Sequence, residues 1–162
     1  MKSLLTTILL IITVLSVQAQ KTSSALSPIL SLYYNVKDAL INSDPATSSL
    51  KASELVNKIN TIDLKTLPAT EQSTFASLKI KLATDAKMLS ETNNIEKQRA
   101  FFSSLSTNIY TLVKTVKLSD EPIYQAYCPM KKAYWLSSEV AIKNPYYGNQ
   151  MLTCGKVNDI LK

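Results

Sequence analysis

No glycine occurs before residue 148. Glycine is the residue that loosens helix interiors, so a chain that runs this far without one is suited to long, uninterrupted helices. Residues 27–116 read as four of them. The first begins at Ser27-Pro28, where serine can cap the free amides and proline, lacking an N–H, suits the first turn. Ile29, Leu32, Tyr33, Val36 and Leu40 then recur every three or four residues, and Asn42-Ser43-Asp44-Pro45 ends the run. The second begins at Asp44-Pro45 by the same logic, with an apolar stripe of Ala52, Leu55, Val56, Ile59 and Ile62. The third follows Pro68. Its inner face is Phe75, Leu78, Leu82 and Leu89, with Ala83 and Ala86 beside them, and it ends near Thr92-Asn93.

The fourth opens at Asn93 or Asn94, where Glu96 is placed for a variant capping box from Asn93. Phe102, Leu105, Ile109, Leu112 and Val116 alternate steps of three and four, the spacing of a bundle seam. Gaps of a few residues favour antiparallel neighbours. The pattern predicts an all-α fold: an antiparallel up-down four-helix bundle over about 27–117.

After Lys117 the character changes. The segment 118–162 holds both glycines, both cysteines, the single tryptophan and five of the eight tyrosines. Pro129 and Pro145 bias their preceding residues toward extended backbone. Asn144-Pro145 and Tyr147-Gly148-Asn149 read as turns. We expect an irregular, aromatic- and Cys/Met-containing C-terminal cap, with short helical turns at 137–143 and 157–161 and little strand.

The first residues stand apart from the fold. MKSLLTTILLIITVLSVQAQ has a basic start at Lys2, an apolar run from Leu4 to Val17 and a loose small-residue cleavage pattern ending at Ala19. That is the pattern of a cleavable secretory signal peptide over residues 1–19, leaving residues 20–162 as one domain. It implies a periplasmic protein with no transmembrane segment once the signal is removed. The formal charge of +6 comes from lysines scattered among acids rather than clustered, which reads as a solvated surface and not as a nucleic-acid face.

The chain has no histidine. Serine–histidine and cysteine–histidine catalytic pairs are therefore excluded, as are histidine-based zinc and blue-copper sites. Two cysteines are too few for a four-cysteine iron–sulfur site. Asp120-Glu121 could serve acid–base work, but adjacent acids read as a solvated turn. We expect no enzyme.

What remains is sulfur. Cys128 is followed by Met130, and Cys154 is preceded by Met151. Thiolates and thioethers are soft donors suited to Cu(I). In extended backbone Cys128 and Met130 share a side, and Met151 and Cys154 share a face of a helical turn. An even cysteine count in an exported protein reads equally as a Cys128–Cys154 disulfide. That bridge would stabilise by about 3.5 kcal/mol in the chain-entropy picture, with the methionines as gap fillers. Both readings stand at this point.

The string CPMKKAYWLSSEVAIKNPYYGNQMLTCG resembles the signature of the domain of unknown function 3347 family. The matching pieces are Cys128-Pro129-Met130, Trp135-Leu136-Ser137, Asn144-Pro145-Tyr146-Tyr147-Gly148 and Met151-Leu152-Thr153-Cys154-Gly155, with Gln98-Arg99-Ala100-Phe101 as a fainter echo. The resemblance implies a helical periplasmic module, alone or fused to adaptor subunits of heavy-metal efflux pumps, and hence copper or a related soft metal. With Tyr127 beside Cys128 and no histidine anywhere, it implies an all-sulfur Cu(I) site drawn from Cys128, Met130, Met151 and Cys154. Tyr127, Trp135, Asn144, Pro145, Tyr146, Tyr147 and Gly148 form the supporting cap. An efflux-pump adaptor or another periplasmic protein is the implied partner. The alternative is a bridged structural or interaction module that takes no metal.

Overall fold

A computed structural model describes residues 24–162; the expected signal peptide at 1–19 lies outside them. The four helices form where the apolar spacing places them: α1 at Ser27–Ile41, α2 at Pro45–Thr61, α3 at Ala69–Ser90 and α4 at Ile95–Thr115. The caps explain most of the boundaries. Asp44 accepts the Thr47 amide at 3.0 Å ahead of Pro45, and Asn94 accepts the Lys97 amide at 3.0 Å, each satisfying a donor that the first helical turn leaves free.

Two expected caps differ. The residue before α1 is Leu26, which makes no side-chain cap; Ser27 lies inside the helix and donates instead to Leu118 O at 2.7 Å. Glu96 completes no box from Asn93. It pairs with Arg99 at 3.0 Å.

Successive helices pack against one another. Ser49, near the start of α2, donates to Ser90 O at the end of α3, so these two run antiparallel. Asp85 of α3 accepts from Ser104 and Asn108 of α4. The core is the four stripes: Tyr33, Leu40, Leu55, Ile59, Phe75, Leu82, Leu89, Phe102, Leu105 and Ile109 are all fully buried. No helix among the described residues is long and apolar enough to cross a membrane.

The expectation of an all-α chain is overturned by the C-terminal segment, which makes this a mixed fold. β1 (Ile123–Cys128), β2 (Ala133–Ser137) and β3 (Lys156–Leu161) form an antiparallel sheet in the order β2-β1-β3. Residues 138–147 are bends and turns rather than a helical turn, and 157–161 is strand. The physical reasons are local. β1 and β2 are rich in aromatic and β-branched residues, which favour a pleated surface. β1 is buried apart from the half-buried Tyr124 and Tyr127, and β2 apart from the exposed Tyr134, so no polar–apolar alternation of residue types marks them. The hairpin turn 129–132 is built on Pro129 and a left-handed Lys132 (φ 55°), without an Asn-Gly signal. β3 carries a register shift against Gln125/Ala126, and the inserted residue spaces Val157 and Ile160 three apart, which imitates a helix.

The sheet packs chiefly on α4. Where α1 and α4 face each other, an aromatic layer fills the space. Tyr33 and Phe102 stack with centroids 5.1 Å apart, Tyr146 lies 5.9 Å beyond Phe102, and Trp135 meets Tyr146 edge-on at 6.1 Å.

Candidate thiol site

β1 delivers Cys128 as its last residue, paired with Ala133 across the hairpin. Strand alternation and this register place Cys128, Ala126, Ala133 and Trp135 on one face, with Tyr127 and Tyr134 on the other. The latter two rings meet with centroids 4.7 Å apart. Cys128 is buried and Cys154 half-buried, and both are free thiols. Cys154 comes from the loop that leads into β3, whose Lys156 pairs with Tyr127. This pairing returns the chain to the hairpin that carries Cys128.

The two thiols interact. Partial burial pushes the Cys154 thiol up from its ordinary value, and the hydrogen bond and charge of Cys128 add to it; the Met130 amide opposes the shift. The Lys131 amide donates to Cys128 Sγ at 3.4 Å. Cys128 Sγ is thus served by a backbone N–H of the Pro129–Lys132 turn, the kind of donor that stabilises a thiolate's charge.

The methionines stand differently. Met130, at the hairpin tip, is 62% exposed and Met151 37%. Met151 adjoins the site through its backbone, whose carbonyl accepts the Cys154 amide at 3.0 Å. The structure therefore brings the two cysteines to the same end of the sheet and leaves both methionine side chains near solvent. Among the described residues no group of three or more Cys, Asp or Glu side chains gathers as a metal cage. Two thiols at one end of a sheet are a donor set that fits a soft monovalent ion needing few ligands.

The supporting residues have separate tasks. Tyr146 is buried, and its hydroxyl donates to Tyr134 O. Burial first, and then nearby Cys128, push its phenol up. Gly148 adopts φ +55°, and a Cβ there would fall 2.7 Å from Ser43 Oγ, 2.8 Å from Arg99 Nη2 and 2.8 Å from Ile41 O. Gly155 leaves room for Trp135, whose Cη2 would lie 2.7 Å from an added Cβ.

Arg99, only an echo in the sequence, proves central. It is 3% exposed. Its guanidinium donates to Pro145 O at 3.1 Å, Leu40 O at 3.3 Å, Ser43 Oγ at 3.0 Å and Glu96 at 3.0 Å. It therefore ties the end of α1 to the Asn144–Gly148 loop. A signal for it existed: Arg99 falls on the apolar seam of α4, three residues before Phe102.

A match to the family described as "Protein of unknown function (DUF3347)" covers residues 29–121. The match bears on the helices and stops before the sheet and both cysteines. This chain belongs to that family. No curated protein and no solved structure matches it.

Proposed function

We propose that this is an exported, non-enzymatic protein that binds a soft metal ion of the Cu(I) type at Cys128 and Cys154, and buffers it or hands it on, with an efflux-pump adaptor as a candidate recipient. The observation that carries the reading is that the Tyr127–Lys156 strand pairing returns the chain just after Cys154 to the strand that ends in Cys128, so the only two thiols of the chain come to the same end of the sheet. One is buried and one is half-open, and the Lys131 amide donates to Cys128 Sγ. Soft thiolates select Cu(I) over hard cations. Met130 and Met151 supply further soft donors at the mouth, and exchange among sulfurs is the route by which an ion would enter or leave. The resemblance to efflux-linked modules and the signal-like pattern of residues 1–19 support a periplasmic setting.

The same placement favours a second reading, in which oxidation joins Cys128 to Cys154 and the protein is an interaction module without metal. The two exclude each other at any moment, because a disulfide sulfur is not a thiolate ligand. The dividing experiment is a free-thiol count on protein purified from the periplasm. An anaerobic Cu(I) titration of the reduced protein against a competing chelator then follows. Stoichiometric Cu(I) uptake is expected; reduced, folded protein that takes none overturns the copper reading.

A further inference from the structure

The two thiols are not held by equivalent scaffolding. Cys128 is fixed by the strand ladder. Cys154 ends a loop, residues 144–154, that contains only a short 3-10 turn at Gly148–Gln150, and this loop is organised by one side chain. Asn144 is fully buried. Its Nδ2 donates to Cys154 O at 2.6 Å and its Oδ1 accepts the Tyr146 amide at 2.8 Å. Its own amide donates to Leu152 O at 2.8 Å, and its carbonyl accepts the Gly148 amide at 2.9 Å. One residue therefore spends four hydrogen bonds within its own loop, and the longest-reaching ends on the residue that carries the thiol. A carboxamide is required for this. It offers a donor and an acceptor from one rigid plane, whereas an ionised carboxylate offers acceptors alone.

We propose that Asn144 is the positioning residue of the thiol pair: it sets the affinity of the site for a thiophilic ion by holding Cys154 against Cys128, while touching neither sulfur ligand nor ion. The proposal rests on the reading of the pair as a soft-metal site, and deepens it. The physical cause is effective concentration. Two thiols held together bind one ion in a single step, whereas a thiol on a loosened loop must first be ordered, at a loss of affinity.

The test uses the full chain, reduced and anaerobic, with two probes. Phenylarsine oxide condenses with two thiols to form two As–S bonds; the thiol protons leave with the arsenic-bound oxygen as one water, and no oxidation occurs. Cu(I) with a competing chelator is the second probe. Asn144→Ala is expected to weaken both by about tenfold or more while far-ultraviolet circular dichroism stays that of the wild type. Unchanged phenylarsine affinity in folded Asn144→Ala overturns the proposal.

Asn144→Asp keeps the acceptor and loses the donor when ionised. Its affinity relative to wild type is expected to be low where the carboxyl is ionised and to recover as falling pH returns the proton that can donate to Cys154 O. A ratio that does not change with pH overturns the positioning role, and this readout serves if the alanine variant fails to fold. Wild type that takes the arsenical and refuses Cu(I) removes the copper reading alone, because the arsenical ratio still reports what Asn144 does.

Discussion

The hydroxyl of Tyr33, in the middle of α1, accepts the backbone amide of Leu136 in β2 at 2.9 Å, joining residues 103 apart in sequence. The same hydroxyl lies 2.8 Å from Ser106 Oγ of α4. One phenol thus satisfies an outward-facing amide of an edge strand and locks the sheet between two helices. Tyr33→Phe keeps the ring stacked on Phe102 and removes only the oxygen, leaving a buried N–H without a partner. It is expected to cost about 1–3 kcal/mol, read as a lower midpoint in urea unfolding with an unchanged slope.

Arg99 makes a sharper case. Its substitution by methionine keeps the aliphatic stem, strands the Pro145 carbonyl in the interior and removes the charged donor from Leu40 O, which keeps only the Ser43 amide. Hydrogen bonds to a charged donor are worth about 1.5–3 kcal/mol each, so a loss of at least about 3 kcal/mol is expected. Glu96→Ala should cost well under 1 kcal/mol, because the carboxylate is 71% exposed and screened. Equal effects of the two substitutions in denaturant unfolding would contradict the assignment of Arg99's energy to the carbonyls.

Gly148→Ala tests the other side of the same clasp. The left-handed backbone alone costs a side chain about 1 kcal/mol or more, and the added methyl meets the Ile41 carbonyl, which is backbone and yields little. Destabilisation of about 2 kcal/mol or more is expected by thermal or chemical unfolding. Gly148→Asn, a residue more tolerant of this backbone region, should recover none of it, since the clash remains.

The helical half of this architecture was legible because its signals are local. Pro28, Pro45, Asp44, Asn94 and the three-and-four spacing act within one turn of the residues that they govern. The sheet was not, because its evidence is non-local. β1 and β2 are mostly buried, so their residue types do not alternate, and in β3 the exposure alternates while the residue types do not follow it: Ile160 is exposed and Asp159 half-buried. The cysteines were legible as a pair by their number and their motif. The hydrogen bonds by which Asn144 holds the backbone at Cys154 were not legible, since the sequence shows Asn144 only as a turn and motif residue of the supporting cap. Arg99 was visible as a charge on an apolar seam, and its partners lie 46–59 residues away in sequence.

Buried phenols give the fold a defined alkaline limit. Burial raises Tyr33, Tyr34 and Tyr146 well above the ordinary tyrosine range. In the unfolded chain they ionise near pH 10. Above that pH the native state binds more protons than the unfolded state, so stability falls as pH rises, by up to about 1.4 kcal/mol per pH unit for each such group. Below pH 9 the three contribute no slope. Phenolate absorbance should show these tyrosines remaining un-ionised until a cooperative step that coincides with loss of helical circular dichroism. Smooth titration of all eight tyrosines without unfolding would show that the aromatic layer admits water.

The sulfur donors should not contribute equally to the proposed copper site. Cys128 is buried and Cys154 half-buried at the same end of the sheet, whereas Met130 and Met151 sit near solvent. An exposed thioether must be ordered before it can ligate, and that ordering offsets part of its gain. Cys128→Ser or Cys154→Ser is therefore expected to lower Cu(I) affinity by about 100-fold or more, equivalent to about 2.7 kcal/mol. Met130→Leu and Met151→Leu should each lower it by about tenfold or less, and should also slow transfer of the ion to an external chelator, because the thioethers are the first donors that an incoming or departing ion meets. Anaerobic competition titrations measure the first effect and stopped-flow chelator transfer the second. If both leucine variants keep the wild-type affinity and transfer rate, the site reduces to the two thiols and the methionines are surface residues alone.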